Sequence, residues 1–318
     1  MLFRMPRVPD RKNLIARRLR LKDLHVFMAV ARSGSMAGAA DQLEMSQPAI
    51  SEVISGLEHA LRAKLFDRNP RGVQLTAYGK ALLKRGAAVF DELDQGLAEL
   101  EDLADPGAGE VRVGCPESIA AAMMIPVVAG FRQRHPRIVL RVENVSTRTM
   151  ELPELRSRSL DLVVARLLPP VDLDAYGDDL DIEILFDDRV VVAAGLRSRW
   201  VQRERIELQE LVDEPWIVTG AKTASLVSQA FRAKGLKEPS IAMVTYSVHL
   251  RANLLATGEY LASFPETVLR FNAERYGLKM LPVDLPLQPW PVAIVTLKNR
   301  TLNPVVHRFI EHVRTFRS

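Results

Sequence analysis

The chain has 318 residues, 47% of them hydrophobic and 26% charged, which suits a soluble protein with room for two ordinary domains. Its 43 Lys and Arg oppose 39 Asp and Glu, but the excess is concentrated. Residues 1–75 carry 13 basic against 7 acidic side chains, a net +6, and the remainder is slightly acidic. A basic head on a near-neutral body is the charge footprint of a polyanion-binding domain joined to something else. The single cysteine, Cys115, excludes an intramolecular disulfide and a cysteine-based zinc site. No apolar run approaches the roughly 20 residues that span a bilayer. The charged N-terminus is not followed by the apolar stretch of a secretory signal. The expectation is a cytoplasmic protein without metal, cofactor or membrane contact.

Residues 1–20 hold seven Arg and Lys with little periodicity and read as a basic flexible arm, either without specific role or touching phosphate. Leu21, Leu24, Phe27, Met28 and Ala31 recur at helical spacing up to Gly34. Ser35 is an N-cap for a second short helix with Met36, Ala39, Ala40 and Leu43 on one side. Ser46 caps a third, with Pro48 in its first turn and Ile50, Val53, Ile54, Leu57 and Leu61 as the buried stripe. Two short helices with a tight connection make a helix-turn-helix. Its second helix offers Gln47, Ser51, Glu52 and Ser55 to base edges and phosphates of double-stranded DNA. Asn69-Pro70-Arg71-Gly72 is then a turn between two short extended runs, a wing, with Arg68 and Arg71 flanking it as phosphate or minor-groove contacts.

A helix is predicted from Thr76 to about Ala104, ended by Asp105-Pro106-Gly107. Leu83, Gly86, Phe90, Leu93, Leu97, Leu100 and Ala104 alternate at spacings of three and four. The alternative is a helix packed on its own domain. A dimer seam through Leu83, Phe90, Leu93, Leu97 and Leu100 is favoured, because a helix this long outreaches one small domain and paired DNA half-sites need paired heads.

Beyond the Pro-Gly break, strands and helices alternate. Strands are expected at Val111–Gly114, Ile138–Asn144, Leu160–Ala165, Ile182–Phe186, Val190–Ala194, Trp216–Val218, Ile241–Thr245, Leu278–Val283 and Val292–Leu297. Helices are expected at Ser118–Arg134, Thr149–Arg158, Lys222–Lys234, Val248–Thr257 and Asn303–Thr315. This is an α/β pattern of mainly parallel sheet, enough for two doubly wound subdomains. Ligands in such folds bind beyond the carboxyl ends of strands and at helix N-termini. That selects Pro116, Glu117, Ser118, Ser146, Thr147, Arg166, Thr219, Thr223, Ser247 and Phe264 as an effector site. Ser118, Ser146 and Thr223 have helix capping as an alternative. Arg166 suits a carboxylate or phosphate, or a structural partner, whereas Glu117 points to a hydroxylated or cationic ligand. Cys115 reads as a small buried hydrophobe.

The run AARSGSMAGAADQLEMSQPAISEVISGLEHALRAKLFDRNPRGVQLTAYGKALL resembles the DNA-binding head of the LysR family of transcription regulators. The AxxLxxSQPAxSxxIxxLE, LFxR and LTxxG blocks stand in register. FxxxxPxIxLRVEN, LxxxxLDLVVAR and LLATGEYLASFP are similar, more loosely, to that family's periplasmic-binding-protein type 2-like effector domain. The resemblance spans residues 21 to 318. It implies an all-α winged helix at 21–78, a linker helix at 79–106 and an effector domain at 107–318. The last divides into subdomains at about 107–185 plus 288–318 and about 186–287. It also implies a small-molecule effector, a homodimer or homotetramer that bends DNA, and RNA polymerase as a further partner. One departure is that relatives carry Arg, Lys or Gln where this chain has Glu52, Val53, Ser55 and Gly56, which implies modest affinity per half-site and close packing at Gly56. An enzyme is the competing class, but no HExxH, GxSxG or phosphate-loop motif is present. A transporter's solute-binding protein is opposed by the basic winged head.

Overall fold

The computed structural model describes residues 19–69, 72–221 and 225–316. The expected arm up to residue 18, Arg71 and Thr223 therefore lie outside the described residues. The chain divides into two compact units, one up to Asp94 and one from Gln95 onward.

In the first unit, α1 (Leu21–Ser33), α2 (Met36–Gln42) and α3 (Gln47–Leu61) enclose a core of Phe27, Val30, Ala39, Ile50, Ile54 and Leu57. Local signals set their ends. Gly34 closes α1 in the left-handed conformation, φ 67°. Ser35 accepts from Gly38 N at 2.9 Å and Ser46 from Ala49 N at 3.4 Å, each satisfying an orphan donor of the first turn. β1 (Phe66–Asn69) and β2 (Gly72–Leu75) form the antiparallel wing. The wing is tied to the head by Val73 N donating to Gly34 O at 2.9 Å.

The helix α4 (Ala77–Ala104) starts where Thr76 accepts from Gly79 N and donates to Lys64 O. A Cβ on Gly79 would lie 2.2 Å from Leu65 O, so the LTxxG spacing reflects a backbone approach that only glycine permits. Gly56 departs from expectation. A Cβ there would meet nothing within 4 Å, so it faces open space and no close packing explains it.

The second unit contains two five-stranded sheets. The first has the order β4 (Ile138–Asn144), β3 (Gly109–Cys115), β5 (Leu162–Arg166), β12 (Trp290–Leu297), β6 (Leu180–Asp188). The second has the order β11 (Leu278–Met280), β7 (Val190–Gly195), β10 (Leu261–Pro265), β8 (Trp216–Val218), β9 (Ile241–Val244). Each is mixed: β3 runs parallel to β4 and β5, while β12 is antiparallel to β5 and β6. In the second sheet β10 runs parallel to β8 and antiparallel to β7. Helices cover the sheets: α5 (Glu117–Ala120), α6 (Met124–Arg134), α7 (Pro153–Arg156), α8 (Leu226–Ala233), α9 (Val248–Ala256), α10 (Glu266–Tyr276) and α11 (Pro304–Arg314). Phe131 of α6 meets Phe309 of α11 edge-on at 5.1 Å over the first sheet.

Several expected elements differ. The helix expected over Ser118–Arg134 breaks at 121–123. Pro126 has no N–H to donate to Ala122 O, which accepts from Ile125 N instead. The helix expected over Thr149–Arg158 shrinks to α7, because Met150 and Leu152 take positive φ and Arg158 does so at its end. β10 and α10 were not anticipated as elements.

The chain passes between the sheets twice, at Asp188–Val190 and between β11 and β12. The loops that follow β3, β4, β5 and β8, together with the end of β10, carry residues of the cavity described below.

Candidate functional site: a helix-turn-helix head and a ligand cavity

On the head, Gln47, Pro48, Glu52 and Ser55 of α3 are exposed and Ser51 is half-buried. Ser35 and Ser46, besides capping their helices, stand at the N-termini of α2 and α3, where backbone N–H groups favour phosphate. Arg68 is exposed on β1.

Glu58 was not singled out from sequence. It is buried, and its Oε1 accepts from Leu65 N at 2.8 Å and Phe66 N at 3.3 Å while Oε2 accepts from Lys64 Nζ at 3.0 Å. It thus ties the end of α3 to the start of the wing. Burial acts to raise its pKa, but these donors prevail and hold the carboxyl below the usual range.

Leu83 and Phe90 of α4 pack against the head's own core, whereas Leu93, Leu97 and Leu100 stand exposed at 45%, 59% and 63%. The opposite side of the helix's C-terminal part is docked. Asn303 N donates to Gln95 Oε1 at 2.9 Å, and Arg308 meets both oxygens of Asp102 at 2.7 Å.

A cavity of about 980 Å3 opens between the two sheets of the second unit. Pro116, Glu117, Ser118, Ser146, Thr147, Arg166, Thr219 and Phe264 line it together. Ser247 is not among them: it is the N-cap of α9, accepting from Leu250 N at 3.2 Å, and its neighbour Tyr246 faces the cavity instead. Ser118 is not a cap, since α5 already begins at Glu117 after Pro116. Glu117 is not a free carboxylate either. Its Oε1 accepts from Val248 N at 2.9 Å and from His249 N at 3.5 Å, so it caps α9 from the other subdomain.

Arg166, at the end of β5, donates through Nη1 to Asp188 Oδ2. Asp188 also accepts from Thr267 N at 3.2 Å and Thr267 Oγ1 at 2.5 Å. This knot sits at the first crossover. Arg251, which no sequence motif distinguishes, lines the cavity too, donating through Nη1 to Ser263 O at 2.8 Å and lying 4.3 Å over the Phe264 ring. Cys115 is fully buried, and burial pushes its thiol up to about 12, which makes it an inert core residue. Among the described residues no cluster of His, Cys, Asp and Glu could hold a metal, and no helix is long and apolar enough to cross a membrane.

A helix-turn-helix with a wing, followed by a long helix and two α/β subdomains around a cavity, defines a ligand-responsive DNA-binding regulator. Family comparisons agree. Residues 21–80 match the bacterial regulatory helix-turn-helix protein, lysR family, and residues 104–317 match the LysR substrate binding domain. The chain belongs to the LysR family of transcriptional regulators, in which effector sensing is typical.

It is 27% identical over 307 residues to an uncharacterized HTH-type transcriptional regulator, YdcI, of Escherichia coli (strain K12), covering 96% of this chain and 98% of that one. It is 26% identical over 300 residues to the transcriptional dual regulator GltC of Bacillus subtilis (strain 168), covering 94% and 97%. Its fold is that of full-length OxyR from Pseudomonas aeruginosa, at TM-score 0.63 and 20% identity over 93% of both chains. Full-length CbnR complexed with its target DNA is similar, at TM-score 0.61 and 20% identity over 93% of this chain and 99% of that one.

Proposed function

We propose that this regulator acts as a homodimer, paired further into a tetramer, that reads an interrupted dyad and bends the DNA between half-sites in response to a small molecule held in the cavity. The observation that carries this is the Arg166–Asp188–Thr267 knot. It lies where a cavity-lining side chain meets a strand crossover. A ligand shifts such an equilibrium only by its differential affinity for the two arrangements of the subdomains. The exposed Leu93, Leu97 and Leu100 supply the apolar seam for a second chain.

Base reading falls to Gln47, Ser51, Glu52 and Ser55, and phosphate contact to the N-termini at Ser35 and Ser46 together with Arg68 and Arg71. The division into an arm at 1–20, a head at 21–78, a linker at 79–106 and a sensing domain at 107–318 belongs to this reading. So do a cytoplasmic location, contact with RNA polymerase, and the absence of catalysis. The test is a footprint of the full chain on its own upstream intergenic region. Protection of an interrupted dyad supports the reading; protection no different from random DNA contradicts it.

A further inference from the structure

The charged side chains lining the cavity, among the described residues, are Arg148, Arg166, Arg251 and Glu117. Their charges are not equally available. The carboxylate of Glu117 is held on the first N–H groups of α9, and Asp188 is held by Arg166 Nη1 and by Thr267. Arg148 is exposed and stacks over the Tyr246 ring at 5.3 Å.

Arg166 and Arg251 are different. The Arg166 side chain is 4% exposed, yet its Nε and Nη2 have no partner among the described residues. Arg251 is 3% exposed, and its Nε is likewise unpartnered. Buried unpaired donors on a cation are costly, so a site that keeps them is waiting for an acceptor. Nε and Nη2 form one edge of the guanidinium, the two-donor fork that fits two oxygens of a carboxylate. Burial lowers the pKa of Arg251 to about 10, with Glu117 raising it, which still leaves it protonated at neutral pH. Around these donors the lining is apolar: Leu168, Pro169, Pro170, Phe264 and Trp290.

We infer that the cavity takes an organic carboxylate with an apolar body, gripped by the free edge of Arg166 with Arg251 Nε as a further donor. This rests on the sensing role proposed above and adds the charge of the ligand. The same guanidinium then joins ligand to crossover, since its other nitrogen holds Asp188. A phosphoryl group would bring a second charge and a third oxygen, which the two-donor edge of Arg166 does not match.

The test is thermal unfolding of the full-length protein at constant ionic strength in sodium butyrate, hexanoate and phenylacetate, beside the corresponding primary amides and phenyl phosphate. The acids should raise Tm saturably and more so as the apolar body grows, and the amides should not. Arg166→Lys keeps a cation beside Asp188 but removes the free edge. It should weaken the apparent affinity for the acids about tenfold or more, and Arg251→Lys should weaken it as well should the first variant melt too low to measure. Equal stabilisation by amides and acids overturns the charge assignment and leaves the sensing role intact. Stronger stabilisation by phenyl phosphate overturns the carboxylate in favour of a tetrahedral anion. No stabilisation by any probe overturns the inference and leaves the sensing role, which names no ligand charge, standing.

Discussion

Glu117 Oε1 accepts a hydrogen bond from Val248 N at 2.9 Å, although 131 residues separate the two. One subdomain thereby supplies the N-terminal cap for a helix of the other, next to Ser247, which caps the same helix locally. Replacing Glu117 with Ala should cost about 0.5–2 kcal/mol, the usual value of a lost helix cap. Urea unfolding of the two proteins measures it. A midpoint unchanged within error would show that the long-range cap contributes nothing.

The buried Glu58 makes a comparable tie inside the head. Glu58→Gln removes the charge that Leu65 N, Phe66 N and Lys64 Nζ all address, and should destabilise the head by about 1–3 kcal/mol. The pH dependence has a definite sign. The folded pKa lies below the ordinary glutamate value of 4.5, so the unfolded chain binds the proton first. The stabilisation is therefore complete above that value and is lost as pH falls through the lower folded pKa. Melting curves of wild type and Glu58→Gln should be separated at neutral pH and converge on acidification. A constant gap down to the lowest accessible pH would contradict this.

Gly79 admits no side chain without movement, because a Cβ would lie 2.2 Å from Leu65 O. Gly79→Ala should destabilise the head by about 1–3 kcal/mol, the range of overpacked sites. Gly56→Ala should instead stabilise α3 by about 1 kcal/mol, since a Cβ there meets nothing within 4 Å. Thermal melts of the two variants should therefore move in opposite directions.

The exposed seam of α4 separates association from folding. Leu97→Arg with Leu100→Arg replaces side chains that are 59% and 63% exposed in the single chain, so the folding of that chain should change by only about 0.5 kcal/mol per site. Sedimentation should show smaller particles, and dyad binding should weaken to that of a half-site. Unchanged assembly would move the dimer contact elsewhere.

What was legible in the sequence was local. Gly34, Ser35, Ser46 and Pro48 act within one turn of where they stand, so the head could be read residue by residue. What escaped depended on distant partners. β10 carries no alternation and ends in proline. α10 buries Thr267 and Asn272, polar side chains that serve Asp188 and Ala121 O and interrupt the apolar face of Val268, Leu269, Ala273 and Tyr276. Glu58 and Arg251 likewise gain meaning only from residues that folding brings to them, and Glu117 looked free because its partner lies in another subdomain. The candidate cavity was legible as a set of strand ends, since eight of the ten residues chosen on that ground line it; its charge balance was not.

The most direct test of the account is the affinity of the full chain for its footprinted dyad, for a single half-site and for a scrambled duplex, each titrated against salt. The account predicts tightest binding to the dyad, falling steeply with salt, with Arg68→Ala weakening all three duplexes and lowering the salt slope by about 1. Gln47→Ala should weaken the dyad and half-site but not the scrambled duplex. Equal affinity for all three duplexes, with Gln47→Ala indistinguishable from wild type, would contradict it.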